Sequence, residues 1–414
     1  MGDSGNAPCL RRVEAFPVTV EGREVICLRD PSGVTDAVLT VSRPAVEILA
    51  LLDGTRSLLD IQADIMRRHG TLVPRDQLEA LVETLDRHFF LEGPRLEAER
   101  VRLATAFRDS RIRRAAHAGK AYNSDAEALR RDLDALFEPP EGPGPVGPRD
   151  VAVLRGLIAP HIDFSRGGPA YAWAYKAVGE ALDVDCFIVF GTAHGGLDGL
   201  PFAATPKPYD TPFGPLPVDD EVLEALARRA PGDLFAAELA HRAEHSIEFQ
   251  AVCLRYLHRD GREVRIVPLL TSFVHECLAR GLNPAGEPAV AGVLDALQET
   301  MATVPRRYCL VAGADLAHIG PWFGDATPVS RAQLARIESE DRTLLSVVAR
   351  GDVDGFFAAV ARDGDSRRIC GLSPIYALLR TLPAAEGRLL HYGQWPDPQG
   401  TVTFASVAFV EDAP

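Results

Sequence analysis

The chain has 414 residues, 46% of them hydrophobic and 25% charged. That is the balance of a soluble protein able to bury a large core, and at ~150 residues per domain it leaves room for two or three. The formal charge is −14 and the only lysines are Lys120, Lys176 and Lys207, so the bulk electrostatics favour neither nucleic acid nor an anionic membrane surface. Seven cysteines without CxxC spacing argue against a zinc ribbon, a disulfide scaffold and an iron–sulfur radical site, and fit a reducing compartment. The opening MGDSGNAPCLRR has no apolar signal core and no run of 18 uncharged apolar residues occurs; the expected location is cytoplasmic, without export or membrane insertion.

Residues 12–95 read as one small unit. The alternating runs VEAFPVTV and REVICLRD, separated by the turn-prone Glu21-Gly22, predict a β-hairpin. Ser42-Arg43-Pro44 reads as a helix N-cap with an early proline, followed by Ala45, Ile48, Leu49 and Leu52 at helical spacing until Gly54. A second helix is expected from Ser57, turning Leu58, Ile61 and Ile65 to one side. A third is expected from Arg75, with Leu78, Leu81, Val82, Leu85 and Phe89 as its apolar stripe. Two strands and three short helices suit a winged-helix-like α+β module over residues 1–95. Residues 1–97 carry 11 Arg against 16 acidic side chains, so a DNA-binding role ranks below peptide recognition or regulation. Residues 96–114, rich in Glu, Ala and Arg, read as a connecting helix.

Beyond it the pattern changes to apolar β runs separated by helical stretches: VAVLRGLIAP, CFIVFG, VRIVPLL, YCLVAGA, LLHYG and FASVAFV. Such alternation implies an α/β domain over residues 115–414, with a central sheet flanked by helices. By composition alone PPEGPGPVGP at 139–148 is a linker.

Three of these strands end in residues suited to a metal. LIAPHIDFS places His161 and Asp163 after one, FIVFGTAHGG places His194 after another, and YCLVAGADLAHIG places Asp315 and His318 after the third. Ligands of open α/β sheets bind beyond the strand carboxyl ends, so separate loops can converge there. HRAEHSIEFQ adds His241, Glu244, His245 and Glu248 at the start of a helix. Two His and an oxygen donor with open positions suit non-haem Fe(II) or another divalent transition metal. Each imidazole could instead satisfy a backbone carbonyl, Asp315 could cap a following helix, and Glu248 could pair locally with His245. His69, His88, His117, His258, His275 and His391 lack such placement and read as structural. Arg166-Gly167-Gly168 and Gly195-Gly196 match no phosphate-binding fingerprint and read as turns.

Two resemblances follow from these segments. LALLDGTRSLLDIQADIMRRHG with LEALVETLDRHFFL resembles the PqqD-like peptide-recognition domain found beside enzymes that modify ribosomal peptides. From about 116 to 410, the ordered set AHAGKAYNSDAEALRRDL, LIAPHIDFSRGGPAYAWAYK, VFGTAHGG, YDTPFGPLPVD, EHSIEFQ, IVPLL, GADLAHIG and ICGLSPIYALL resembles the Memo family, whose bacterial members include AmmeMemoRadiSam system protein B. That match turns the proline run at 139–148 into a surface loop inside the domain. It implies a fold related to class III extradiol dioxygenases, with His161 and His194 as metal ligands and His245 as acid or base. Asp315 and His318 fall in the segment of the last ligand. The resemblance puts Ala317 at that ligand's position, leaving the triad incomplete unless Asp315 or His318 substitutes.

The preferred reading is therefore a metal-dependent oxidoreductase-like protein holding iron, or copper, on His161, His194 and Asp315. His245 and His318 are its catalytic candidates, and Glu244, Glu248 and Asp163 support the site from behind. The family implies a radical SAM protein and an AMMECR-type protein as partners, and the front module suggests a peptide substrate. The alternatives are a non-catalytic peptide-binding scaffold, which Ala317 favours, and a metal-dependent hydrolase.

Overall fold

The computed structural model describes residues 7–20, 23–148, 153–181, 184–258 and 262–411. The chain divides into two compact units, Met1–Ser110 and Arg111–Pro414.

The first unit contains an antiparallel sheet of β1 (Glu14–Val20), β2 (Arg23–Arg29) and β3 (Leu39–Ser42), followed by α1 (Ala45–Leu51), α2 (Leu58–His69), α3 (Arg75–Arg87) and α4 (Pro94–Asp109). The expected hairpin pairs Val20 with Arg23, and its turn at Glu21-Gly22 lies outside the described residues. Ser42 does not cap α1 as expected; it ends β3, and α1 starts without a side-chain cap. Four residues, LTVS, are too few for alternation to mark a strand. Ser57 caps α2 in a reciprocal box with Asp60, and Ile61 and Ile65 pack with Leu78 and Leu85 of α3. The stripe on α3 ends before Phe89, which adopts a left-handed φ of 65° and turns Phe90 into the core in its place. Arg11 secures that corner, its Nε donating to the Phe89 carbonyl at 2.5 Å and its Nη1 to Asp30 at 2.6 Å. The segment read as a connecting helix over 96–114 is helical over Pro94–Asp109, within the first unit, and Arg113 belongs to the second.

The second unit runs α5 (Ala126–Leu136), β4 (Val153–Ala159), α6 (Phe164–Glu180), β5 (Cys186–Thr192), β6 (Phe202–Ala204), α7 (Asp220–Arg229), α8 (Glu248–Leu257), β7 (Arg265–Thr271), α9 (Val274–Arg280), α10 (Pro288–Thr303), β8 (Tyr308–Gly313), β9 (Asp315–Ile319), α11 (Arg331–Ala349), α12 (Val353–Asp363), α13 (Leu372–Thr381), β10 (Glu386–Trp395) and β11 (Thr401–Glu411). Its sheet has the order β10-β11-β4-β8-β5-β7-β6, with β9 paired to β11. The inner strands β4, β8, β5 and β7 are parallel and the outer pairings antiparallel. Helix α6 packs along β4, β10 and β11, and α13 along β5, β7 and β8. This is a mixed central sheet flanked by helices.

Composition misled at two places. Gly167 and Gly168 lie inside α6, where side chains would meet Ile162 and Leu136 at 2.4 Å, so they serve helix packing and are not turns. The proline-rich 139–148 is fastened to α6, with Trp173 donating to the Glu141 carbonyl at 3.1 Å and Lys176 to that of Pro143 at 2.7 Å. Among the described residues no helix is long and apolar enough to cross a membrane.

Burial alone would raise the Asp30 carboxyl, but hydrogen bonds from Arg11, Ser32 and Thr35 outweigh it and hold the group at about 2. A carboxylate held below its unfolded value of 3.8 stabilises the fold above that pH and loses the contribution as pH falls toward 2. We predict that about 2 kcal/mol of the first unit's stability disappears between pH 4 and 2. Hydrogen exchange of β2 and β3 in the full chain should show this, and Asp30→Asn should flatten the dependence while lowering stability at pH 7.

Candidate metal centre

The register of the parallel strands sets the site. Ala159 of β4 and Gly191 of β5 both pair with Gly313 of β8, so three strands end level at one sheet edge. The residues that follow, His161, His194 and Asp315, emerge side by side, as expected beyond strand carboxyl ends.

His161 is nearly solvent-free. Its backbone N–H donates to Asp315 Oδ1 at 2.9 Å and its Nδ1 meets the Gly313 carbonyl at 2.8 Å. Nδ1 is thus the protonated nitrogen and Nε2 carries the lone pair.

His194 and His245 share one carboxylate. Glu244 accepts from the backbone N–H of His194 at 2.8 Å, of His245 at 2.8 Å and of Ser246 at 3.0 Å. Its oxygens also lie 3.0 Å from His194 Nδ1 and 3.2 Å from His245 Nδ1. Both rings therefore present Nε2, and they stack at 4.6 Å and 16°, with His161 edge-on at 5.0 and 5.4 Å.

His245 reaches the sheet edge because glycines leave it uncovered. A side chain at Gly313 would meet the Ser246 carbonyl at 2.5 Å, and one at Gly191 would meet Ile247 at 2.5 Å. The segment before α8 lies in that space, and Gln250 ties it down through a 2.8 Å bond to the Pro160 carbonyl.

Two groups of donors come within 4.8 Å of one another: His161 with His194 and His245, and His161 with Asp315 and Cys370. Cys370, in the loop before α13, brings its Sγ to 3.1 Å from His161 Nε2, while Asp315 Oδ2 lies at 3.6 Å. The expectation that Ala317 leaves the site one ligand short is therefore corrected. Ala317 packs with Ile319 and Ile337 and points no donor anywhere, while a sulfur arrives from another loop. Sequence reading missed Cys370, although ICGLSPIYALL was among the matching segments. It also missed His117, whose ring lies 5.6 Å from that of His245.

Other named residues lie elsewhere. Asp315 and His318 are not in a loop after β8; they belong to β9, and no helix follows for Asp315 to cap. His318 joins neither donor group. Its Nδ1 meets the Leu316 carbonyl at 3.0 Å and its ring stands edge-on to Phe323 at 5.0 Å. Asp163 caps α6 and pairs with Arg166 at 2.6 Å. Glu248 faces away from His245. It takes the wholly buried Arg113, the Tyr122 hydroxyl and the His117 N–H. Arg113 in turn donates from Nε to the His241 carbonyl at 2.8 Å and from Nη2 to the Glu244 carbonyl at 2.6 Å. Glu248 thus acts on the site through Arg113 and main chain.

The donors suit a transition-metal ion. Burial pushes His161 and His245 below the ordinary imidazole value, so both are neutral ligands near pH 7. Burial would raise Glu244, but the adjoining imidazoles and their N–H groups hold it well below the usual carboxylate range. Burial raises the Cys370 thiol well above its ordinary value, so it keeps its proton until a cation displaces it. His318, lowered to about 4 by burial, stays neutral.

Replacing Glu244 with Gln should leave three ring nitrogens available but misoriented. We predict a 10–100-fold loss of Co(II) affinity, measured by titration of the full chain, with far-UV circular dichroism unchanged.

Comparison with known proteins agrees with this site. The family model described as "Memo-like protein" matches residues 113–410. A MEMO1 family protein of Aquifex aeolicus is 26% identical over 407 residues, covering 96% of this chain and 99% of its own length. One from Thermus thermophilus is 31% identical over 335 residues, covering 81% of this chain and 93% of itself. A third, from Methanopyrus kandleri, is 29% identical over 70% of this chain and 96% of its own. With its matching segments in order along one α/β unit, the chain belongs to the Memo-like family.

Proposed function

We propose that the second unit is a metal-dependent, oxidoreductase-like protein that holds a non-haem iron or copper ion on His161, His194 and Cys370, with Asp315 beside them and His245 as the proton carrier. The observation that carries this reading is that His161 is common to both donor groups, with imidazoles in one, thiol and carboxylate in the other. A mixed nitrogen, sulfur and oxygen set suits iron or copper and disfavours magnesium or calcium. When bound, such an ion supplies Lewis acidity and redox chemistry toward dioxygen or a substrate oxygen.

The chain's own residues do the rest. His161 and His194 are fixed in one tautomer by Gly313 and Glu244. The His245 side chain is 30% exposed, so its Nε2 can take a proton from a bound substrate, and the Glu244 carboxylate beside its Nδ1 stabilises the imidazolium that forms. The PqqD-like pattern of the first unit supports a peptide substrate. The Memo resemblance supports a cytoplasmic setting beside a radical SAM protein and an AMMECR-type protein.

Metal analysis after anaerobic purification tests this reading. His161→Ala, His194→Ala and Cys370→Ala should lose most bound iron, while His318→Ala and Asp163→Asn should keep it; unchanged loading in the first three would overturn the ligand set. Oxygen uptake with candidate catechols and peptides then separates turnover from binding alone. Because the Cys370 thiol holds its proton until displaced, affinity should rise about tenfold per pH unit near neutrality. That slope should shrink in Cys370→Ala.

A further inference from the structure

We propose that Arg367 and Arg368 are positioning residues of this centre, holding the Cys370 sulfur against His161 through the main chain of the loop between α12 and α13. The inference rests on the reading of Cys370 as a ligand.

The loop does not hold its shape by local preference. Asp365 and Arg368 have φ of 53° and 52°, a left-handed conformation that non-glycine residues keep only where the surroundings enforce it. The two arginines supply that enforcement. Arg367 is buried, and its Nη1 donates to Asp341 Oδ1 at 2.6 Å. Asp341, on α11, is itself without solvent and accepts at Oδ2 from Thr403 of β11 at 2.6 Å and Tyr392 of β10 at 3.0 Å. The guanidinium is thereby anchored to the sheet.

Arg368 reaches outward, pairing with Asp325 and donating from Nη1 to the His318 carbonyl at 3.0 Å. The His318 N–H donates to the Arg367 carbonyl at 2.8 Å. Both arginines therefore fasten the loop to one residue of β9, which gives His318 a part in the site through its main chain. Beyond them, Thr192 Oγ1 donates to the Cys370 carbonyl at 3.0 Å and the Gly371 N–H to the Asp315 carbonyl at 3.1 Å. Loop and donors are thus joined to the strand carrying Asp315 and the strand end leading to His194.

The imidazoles have separate supports in Gly313 and Glu244. Loosening the loop should therefore detach sulfur while the imidazoles remain. This separability distinguishes positioning from general stability.

Co(II) added to the apo full chain under anaerobic conditions is the probe. Its thiolate charge-transfer absorption reports sulfur and its visible ligand-field bands report the remaining donors. Arg368→Ala and the paired Arg367→Met/Asp341→Asn should each lose most of the charge-transfer absorption and bind Co(II) 10–100-fold more weakly, with the visible bands retained. Arg368→Lys, which keeps the charge, should recover part of the absorption. Cys370→Ala sets the baseline. If it absorbs like the unaltered protein, the ligand reading fails. If it loses the absorption while both arginine variants keep full intensity and affinity, the positioning role is overturned. Should the buried pair's variant fail to fold, Arg368→Ala decides alone, because the Arg368–Asp325 pair is partly exposed.

Discussion

A single buried carboxylate organises half of this centre. Glu244 collects main-chain N–H groups from His194, His245 and Ser246 and faces the Nδ1 atoms of two imidazoles. Those rings come from segments about fifty residues apart, one following β5 and one preceding α8. Without a common acceptor, two stacked imidazoles 4.6 Å apart would have no reason to share a tautomer or a direction. With it, both offer the same nitrogen to the same space, and the negative charge behind them raises their basicity as ligands. The carboxylate is itself held, because Arg113 grips the carbonyl of the residue that bears it.

The other half is built differently. Gly313 fixes His161 from behind, and Cys370 and Asp315 approach the opposite nitrogen from β9 and from the loop before α13. One side of the pocket is borderline nitrogen, the other a soft sulfur and a hard oxygen, so coordination geometry depends on how far each side can move. Burial keeps the empty thiol protonated and both deep imidazoles neutral, so little uncompensated charge is stored before a cation arrives.

What could be read from the chain follows from how local each signal is. His161 and His194 stand just past fully buried strands, where period and position together mark a sheet edge. Glu244 adjoins a histidine in one short motif. Cys370 offers no comparable clue: it follows Ile369 and precedes a glycine much as the core cysteines Cys186 and Cys309 sit among apolar neighbours, and its role depends on a loop path set by Arg367 and Arg368. His318 and Ala317 were misjudged because DLAHI pairs with β11 as a strand, and no residue within it announces that partner. Ser42 and Phe89 show the same limit, since a four-residue strand and a left-handed corner held by Arg11 are both tertiary events.

Arg113 lies three residues beyond the last residue of the first unit, and the family match begins on it. Its guanidinium has no solvent contact and holds the carbonyls of His241 and Glu244, more than 120 positions downstream. A fragment cut a few residues later would still contain every metal donor while lacking the cation that sets their scaffold. The shortest polypeptide able to assemble this centre is thus longer than the stretch spanning its ligands, and any protease nick or gene trimming meant to free the second unit has to fall upstream of that arginine.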